Sequence, residues 1–180
     1  MSGPRADAEF KDPMQRTFKR LDSTHEKLIA TVEPLPSQLF SQRPSKTEWS
    51  VSEILQHLRL VEDRVIKELE KELAGSPHRV GLLRRLVPTS IVGSRLIKVK
   101  APRSVIPTEA PEKEKGLAEY NQTRSQLKSL CVTYGRERLR ETVFKHPFLG
   151  PISGFAAVSF LGYHEQRHLK QINEVLSQLR

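Results

Sequence analysis

Two histidines one helical turn apart are the residues best suited to chemistry in this sequence. His164 and His168 are four positions apart, so on a helix both side chains point to the same side. Imidazole is costly to bury without partners, so a buried pair predicts either a metal site or a hydrogen-bonded histidine cluster. Burial of this face is predicted by apolar residues that recur on it at steps of three and four: Phe155, Val158, Leu161, Ile172, Val175 and Leu179.

A third histidine lies on the predicted inward face of another helix. His57 follows Ile54 by three residues and precedes Val61 by four. Three neutral imidazoles suit nickel, zinc, copper or iron(II), and the residues themselves do not choose among these metals. We predict that His57, His164 and His168 hold one divalent ion, for which nickel and zinc are the first candidates. Three protein ligands leave a coordination position open for water or substrate, which is typical of a catalytic site.

The segment from His164 to His168 also matches the H-E-x-x-H pattern of zinc peptidases, in which the Glu is the general base. A peptidase needs a further ligand downstream, and Glu174 lies too far along one straight helix to supply it. The sequence also lacks the strands with which such enzymes hold a peptide. We therefore reject a peptidase and keep Glu165 as a candidate base, although its position next to His164 turns it away from the histidine face.

The other histidines and the single cysteine are predicted to have structural roles. His25 falls on the first helix, and His78 and His146 stand beside prolines in loops, so exposed or capping positions are expected. His146 precedes the last helix and is the one of the three that can approach the site. Cys131 is predicted to be a buried apolar side chain. Because it is the only cysteine, no intrachain disulfide is possible, and a reducing cytoplasm is the expected location.

The net charge of +9 is concentrated in one segment. Residues 79–103 contain seven Arg and Lys residues and no acidic residue, interleaved with apolar ones. The segment is either a solvated amphipathic connection or a basic rim that attracts an anionic small-molecule substrate. No DNA-binding motif or pattern of base-stacking aromatics accompanies the charges, so nucleic-acid binding is not expected.

The fold class predicted from apolar periodicity is all-α. One domain is expected over residues 1–180, with residues 1–10 flexible. The sequence contains no run of 18 apolar residues, so no membrane span is predicted, and the N-terminus lacks the apolar core of a secretory signal. The prediction is a four-helix bundle with one long crossover between helices 2 and 3. The long helices are expected at about 12–32, 51–73, 112–134 and 153–179. The crossover is expected to contain short helices near 79–97 and an extended stretch at 98–111.

The start of the second long helix has a specific signal. Ser50 followed by Glu53 matches the capping box, in which each side chain accepts a hydrogen bond from the backbone of the other residue. Trp49, directly before it, is predicted to pack against the entry of this helix rather than to touch substrate.

Two segments around the histidines resemble the DinB-like (DinB/YfiT) superfamily. The stretch from Glu48 to Leu58 resembles the family segment that ends in its first metal histidine. The stretch from His164 to Ile172 resembles its C-terminal H-x-x-x-H segment. Lys100-Ala101-Pro102 and the later Pro107 are similar to its crossover, and His146-Pro147-Phe148 with Gly150 to the loop before its last helix.

The resemblance implies a metal-binding four-helix bundle, often a homodimer. Some relatives are thiol-dependent transferases, so the leading hypothesis is a thiol S-transferase that uses a low-molecular-weight thiol. Two alternatives stay open: a metal-dependent hydrolase assisted by Glu165, and a non-catalytic metal-binding stress or interaction protein.

Overall fold

A computed structural model of the chain describes residues 13–81 and 102–179. In these residues four long helices correspond to the four that apolar periodicity predicts, and the all-α bundle is confirmed. A short helix, one 3-10 turn and an antiparallel hairpin complete the fold. In chain order the elements are α1 (Pro13–Val32), α2 (Ser37–Ser41), α3 (Val51–Leu73), the 3-10 turn (Arg103–Val105), α4 (Lys113–Arg140), β1 (Val143–His146), β2 (Gly150–Ser153) and α5 (Gly154–Leu179).

Helix α3 begins with the predicted capping box. Ser50 Oγ accepts a hydrogen bond from the Glu53 amide at 3.2 Å, and Glu53 Oε2 accepts one from the Ser50 amide at 2.9 Å. Burial acts to raise the pKa of Glu53, but the Arg43 guanidinium and the Ser50 donors together hold that pKa below its ordinary value. The helix that carries His57 therefore has a well-defined first turn.

Helices α3 and α4 run parallel to each other. A Cβ on Gly116, near the start of α4, would lie 3.4 Å from Leu55 in the first turns of α3. At the other end, Arg138 of α4 donates a hydrogen bond to the Leu73 carbonyl oxygen at 2.8 Å. The end of α3 and the start of α4 therefore lie at opposite ends of this helix pair.

The connection between α3 and α4 is described only at its two ends, residues 74–81 and 102–112. At the first end, the His78 amide donates to the Glu141 carbonyl oxygen at 2.8 Å. The second end was predicted to be extended and contains the 3-10 turn, which packs against α3. Most of the predicted short helices at 79–97 lie outside the described residues.

The helix predicted at about 112–134 is longer than predicted, and the hairpin that follows it was not predicted. Helical structure continues to Arg140 beyond an interruption at Gly135, whose φ of 69° lies in the left-handed region. The two strands then pair in register, with Val143 opposite Ser153 and His146 opposite Gly150. Four-residue strands contain too few alternating positions to produce a detectable period of two.

A layer of polar residues crosses the middle of the bundle and separates two apolar clusters. Each long helix contributes apolar side chains to both clusters, so the layer is enclosed above and below. Its buried or half-buried members are Thr24 and His25 of α1, Glu62 of α3, Arg124 of α4, and His164, Glu165 and His168 of α5.

Candidate metal centre

The three predicted histidines converge in the structure. His57 of α3 and His168 of α5 are buried and His164 is half-buried, and one ring nitrogen of each lies within 4.8 Å of the others. The ring centroids of His57 lie 5.2 Å from His164 and 4.8 Å from His168. No carboxylate or thiol of the described residues joins this group.

The orientation of His57 follows from one hydrogen bond. Its Nδ1–H donates to the Val105 carbonyl oxygen at 2.7 Å, and that oxygen belongs to the 3-10 turn at the end of the crossover. A carbonyl oxygen can only accept, so the proton is on Nδ1 and the lone pair is on Nε2. This arrangement is the usual one for a metal-ligating histidine, whose other nitrogen donates to a carbonyl or carboxylate.

His168 is held in the same way by a neighbour on its own helix. Its Nδ1–H donates to Gln171 Oε1 at 2.8 Å, which leaves Nε2 as the nitrogen with a lone pair. That Nε2 lies 3.2 Å from His164 Nε2. Nitrogens bound tetrahedrally to one ion at about 2.1 Å are separated by about 3.4 Å. The donor set and its spacing therefore fit a divalent ion that prefers imidazole.

Burial keeps the imidazoles in the form that binds a metal. Burial lowers the pKa of His57, with a smaller opposing effect of the Val105 carbonyl. The pKa of His164 is lowered well below its ordinary value by burial and then by the neighbouring His168, His57 and Arg167. Because a protonated imidazole has no lone pair to offer, these lowered pKa values favour metal binding at neutral pH.

Removal of the hydrogen bond to His168 tests its orienting role. We expect Gln171→Ala to weaken metal affinity roughly 10- to 100-fold, the usual effect of losing such a partner, with the fold unchanged. Titration of the metal-free protein with zinc in a competing chelator measures this affinity. Gln166→Ala, at an exposed position on the same helix, is the matched control. Equal affinities for the two variants would contradict the role of Gln171.

Aromatic rings surround the three histidines. The Trp49 ring centroid lies 5.0 Å from that of His57, so Trp49 packs at the entry of α3 as predicted and also borders the site. Phe160 stacks on His164 at 5.2 Å and contacts the His146 ring at 4.5 Å. These rings limit the access of water to the imidazoles, which strengthens electrostatic interactions there.

His146 is buried at the end of β1, with 6% of its surface exposed. Its Nδ1 accepts hydrogen bonds from the amides of Phe148 and Leu149 at 3.2 and 3.0 Å, so it caps the hairpin turn. Of the two predicted roles, capping is confirmed and solvent exposure was wrong. Burial, aided by the positive charge of Arg64, lowers the pKa of His146 to about 4.

Glu165 is 1% exposed, and its carboxylate is not part of the group in which the three imidazoles converge. Its Oε1 accepts hydrogen bonds from the Tyr120 hydroxyl and from Arg124 Nη2, the latter at 3.1 Å. Arg124 also donates to both oxygens of Glu62, at 2.8 and 3.2 Å. The side chain is thus directed into the bundle, as expected from its position next to His164.

The polar layer around Arg124 was not predicted from the sequence. A signal for it exists, because Glu62 stands four residues after Leu58 and three before Val65, on the inward stripe of α3. Arg124 likewise precedes the buried Leu127 by three residues. Charged residues at such positions indicate a buried ion pair, but not which partner each one meets.

The remaining candidates have structural surroundings. His25 is a half-buried member of the polar layer: its Nε2 lies 2.7 Å from Asn121 Oδ1 and its Nδ1 lies 3.4 Å from Glu165 Oε1. His78 is exposed, as predicted. Cys131 is buried as predicted, and burial, with a smaller effect of Glu62, raises the pKa of its thiol to about 12, so the reactive thiolate is disfavoured.

A helical bundle with three converging imidazoles defines the class of this protein, and comparison with known families identifies it further. The model of the DinB superfamily matches residues 20–172, and the chain belongs to that superfamily. Among curated proteins it is similar to the uncharacterized protein YuaE of Bacillus subtilis (strain 168), with 28% identity over 142 residues, 78% of this chain and 85% of YuaE.

Two solved structures share the fold. The four-helix bundle protein TT2238 superposes with a TM-score of 0.60 and 19% identity, covering 88% of this chain and 97% of TT2238. YfiT of Bacillus subtilis superposes with a TM-score of 0.63 and 15% identity, covering 99% of this chain and 93% of YfiT. YfiT is described as a probable metal-dependent hydrolase with an unusual four-helix bundle topology. No helix within residues 13–81 and 102–179 has the length and apolarity that crossing a membrane requires.

Proposed function

We propose that the protein is a metal-dependent enzyme in which His57, His164 and His168 bind a divalent ion, nickel or zinc, and that its reaction is thiol S-transfer. The observation that carries this proposal is the convergence of the three imidazoles, with His57 and His168 each held by a hydrogen bond at Nδ1. In both residues the hydrogen bond at Nδ1 makes Nε2 the nitrogen with the lone pair, through which the imidazole would bind the ion.

The ion supplies one kind of chemistry when bound: it lowers the pKa of a thiol or water in its open coordination position, so that a nucleophile exists at neutral pH. The chain supplies orientation and a sheltered site. Val105 and Gln171 hold two of the rings in place. Trp49 and Phe160 provide apolar walls for the thiol and the electrophile that it attacks.

The composition of the site favours a thiol over water as the nucleophile. Attack by water is usually assisted by a general base beside the metal, whereas a bound thiol needs only to lose its proton and be held near an electrophilic carbon. No carboxylate of the described residues lies with the three imidazoles. In S-transfer the sulfur then forms a bond to carbon, the leaving group departs with its electron pair, and the thiol proton passes to solvent.

Hydrolysis is the second candidate, and one observation favours it. Glu165 Oε2 is buried and has no hydrogen-bond partner, although Oε1 is engaged by Tyr120 and Arg124. A buried carboxylate oxygen without a partner is costly and is often found where a group has a chemical role. In this alternative, the ion would supply an activated water and Glu165 would accept the proton that this water loses. The description of YfiT as a probable hydrolase points the same way.

The test begins with elemental analysis of the purified protein and its reconstitution with nickel or zinc. The metal-loaded protein is then assayed for thiol consumption with 1-chloro-2,4-dinitrobenzene and several thiols, and for hydrolysis of p-nitrophenyl acetate. Thiol consumption that ceases with a chelator and returns with the metal is expected. Hydrolysis without thiol transfer would favour the second candidate, and bound metal without either activity would favour a non-catalytic metal-binding protein. Failure to bind any metal would refute the site.

Three further predictions remain proposals. The low-molecular-weight thiol cofactor, the homodimer and the cytoplasmic location follow from the resemblance and the composition rather than from the described contacts. The proposed anionic substrate was linked to basic residues 79–103, of which 82–101 lie outside the described residues. Within the described part of that segment, Arg79 forms an ion pair with Glu141.

A further inference from the structure

Two routes of contact lead outward from the three histidines to one pair of side chains. On one side, His164 stacks on Phe160, which in turn contacts the His146 ring at 4.5 Å. On the other, His57 donates to Val105, whose neighbour Ser104 lies 3.5 Å from Arg64. Glu68, one turn after Arg64 on α3, accepts a hydrogen bond at 2.9 Å from the amide of Lys145, which directly precedes His146. Arg64 and His146 therefore lie on two segments that contact each other beside the site, and the positive charge of Arg64 acts on His146.

His146 offers a hydrogen-bond donor of fixed orientation. Two backbone amides donate to its Nδ1, and an amide can only donate, so the ring proton is on Nε2. The ring is buried and packs edge-on against Phe160, so it cannot turn without breaking these contacts. In the structure, the Nε2–H has no hydrogen-bond acceptor among the described residues.

Arg64 also has hydrogen-bond donors that a ligand could use. It stands seven residues after His57 on α3, and seven residues are about two turns, so both lie on the same side of the helix. The hydrogen bond from its guanidinium to Ser104 Oγ, at 3.5 Å, is at the long limit for such a bond. The nearby Glu68 carboxylate accepts a hydrogen bond from the Lys145 amide at 2.9 Å. Because Glu68 Oε1 is engaged by this amide and the bond to Ser104 is long, the Arg64 guanidinium keeps N–H donors available beside the histidine site.

We propose that Arg64 and the Nε2–H of His146 form a subsite that binds a carboxylate of the thiol or substrate while its reacting group occupies the open metal position. This inference rests on the proposed metal-dependent function and names the chemical class of its ligand. A guanidinium and a neutral N–H are suited to the two oxygens of one carboxylate. The Phe160 ring lies between His146 of the subsite and His164 of the metal site. The subsite should therefore select a ligand whose carboxylate and reacting group are joined by a short spacer.

The test uses the cobalt(II)-reconstituted protein and two thiols that differ only in charge. 3-Mercaptopropionate has a carboxylate, and 3-mercaptopropionamide replaces it by a neutral amide of similar shape. Binding is followed by the thiolate-to-cobalt absorption band, and the measured quantity is the ratio of the two dissociation constants. The cation itself favours the anionic thiol in every variant, so the change in this ratio between variants is what reports on the subsite.

We expect Arg64→Gln to reduce the preference for 3-mercaptopropionate about tenfold while hardly changing the affinity for the amide. Lys170→Gln removes the same charge from an exposed position on α5, in a groove between α1 and α5, and should keep the preference of the parent protein. An unchanged preference in Arg64→Gln, or an equal loss in both variants, would overturn the proposal.

A pair of variants at His146 separates ligand binding from structure. Asn places its oxygen near the position of Nδ1, so His146→Asn keeps the cap on the hairpin amides but removes the Nε2–H donor. Gln places its NH₂ near Nε2, so His146→Gln keeps the donor and removes the cap. We expect His146→Asn to keep the melting temperature and lose the preference, and His146→Gln to do the reverse. A preference that falls in step with the melting temperature in both would overturn the role of His146.

The proposed function and this inference fail in different ways. If the parent protein does not bind cobalt, or binds it without producing a thiolate band, the metal-dependent thiol function is refuted and the subsite falls with it. If cobalt and both thiols bind but the preference does not depend on Arg64, the function stands and only the subsite is refuted.

Discussion

Replacement of His57 by alanine is expected to reduce bound zinc or nickel from one ion per chain to almost none. His57 is the proposed ligand from α3, so its removal leaves only the two imidazoles on α5. Loss of an orienting partner typically weakens a site 10- to 100-fold, so loss of a ligand itself should exceed about 100-fold. The metal content after dialysis, measured by elemental analysis, checks the expectation.

A thermal measurement provides an independent readout. A ligand at about 100 times its dissociation constant stabilises the folded state by about 2.7 kcal/mol, which for a chain of this size raises the melting temperature by about 5–11 °C. The parent protein should show this shift with zinc, and His57→Ala should not. His78→Ala, at an exposed histidine outside the group, is the matched control and should behave like the parent. A variant lacking His57 that keeps full metal content would refute the site.

Replacement of Arg124 by methionine is expected to cause the largest loss of stability, about 3–5 kcal/mol, since it leaves buried carboxylates without a counter-charge. Arg124 donates to both oxygens of Glu62, to Glu165 and to the Leu21 carbonyl oxygen. Both carboxyl groups are nearly inaccessible to solvent, with 2% and 1% of their side-chain surface exposed. Urea denaturation of the metal-free protein measures the free energy of unfolding.

The pH dependence of that loss gives a second check. Burial raises the pKa of Glu62 above its ordinary value of 4.5, although Arg124 acts in the opposite direction. A carboxyl whose pKa is higher in the folded state binds its proton more tightly there, so stability falls as the pH rises above about 4.5. Without Arg124 the pKa of Glu62 should rise further. The stability deficit of the variant should therefore be larger at pH 8 than at pH 5.

An exposed arginine on the same helix provides the control for this experiment. Arg140 of α4 pairs with Glu137 at 3.5 Å on the surface, and such pairs contribute about 0–1 kcal/mol. Arg140→Met should thus be almost as stable as the parent protein. If Arg124→Met were as stable as Arg140→Met, the ion pairs of Arg124 with Glu62 and Glu165 would not contribute to stability as the structure indicates.

The layer also has a consequence for the metal centre. Glu165 lies directly after His164 on α5 and is tied to α4 through Tyr120 and Arg124. Arg124 in turn connects to Glu62, five residues after His57 on α3. The same hydrogen bonds therefore restrict the rotation of α5 relative to α3, which sets the separation of the imidazoles. The buried ion pairs and the three histidines therefore depend on the same packing of α3, α4 and α5.

The sequence by itself determined the four long helices, the capping box at Ser50 and which three of the six histidines lie on buried helix faces. These features depend on spacing within one helix: apolar residues at steps of three and four mark the buried face, and a histidine on that face is visible without any tertiary contact. Gln171 was within reach of the same reasoning, because it stands three residues after His168.

Only the tertiary structure decided which groups meet across helices. The partner of His57 is a backbone carbonyl from a turn 48 residues away, and no side-chain pattern identifies a carbonyl. Arg124 contacts two carboxylates because α3, α4 and α5 are each rotated about their own axes so that these side chains face one another. Apolar periodicity does not fix the rotation of a helix more finely than about one residue. His146 reaches Phe160 through a hairpin too short to show its period. Periodicity determines which face of a helix is buried, whereas the packing of the faces determines the contacts.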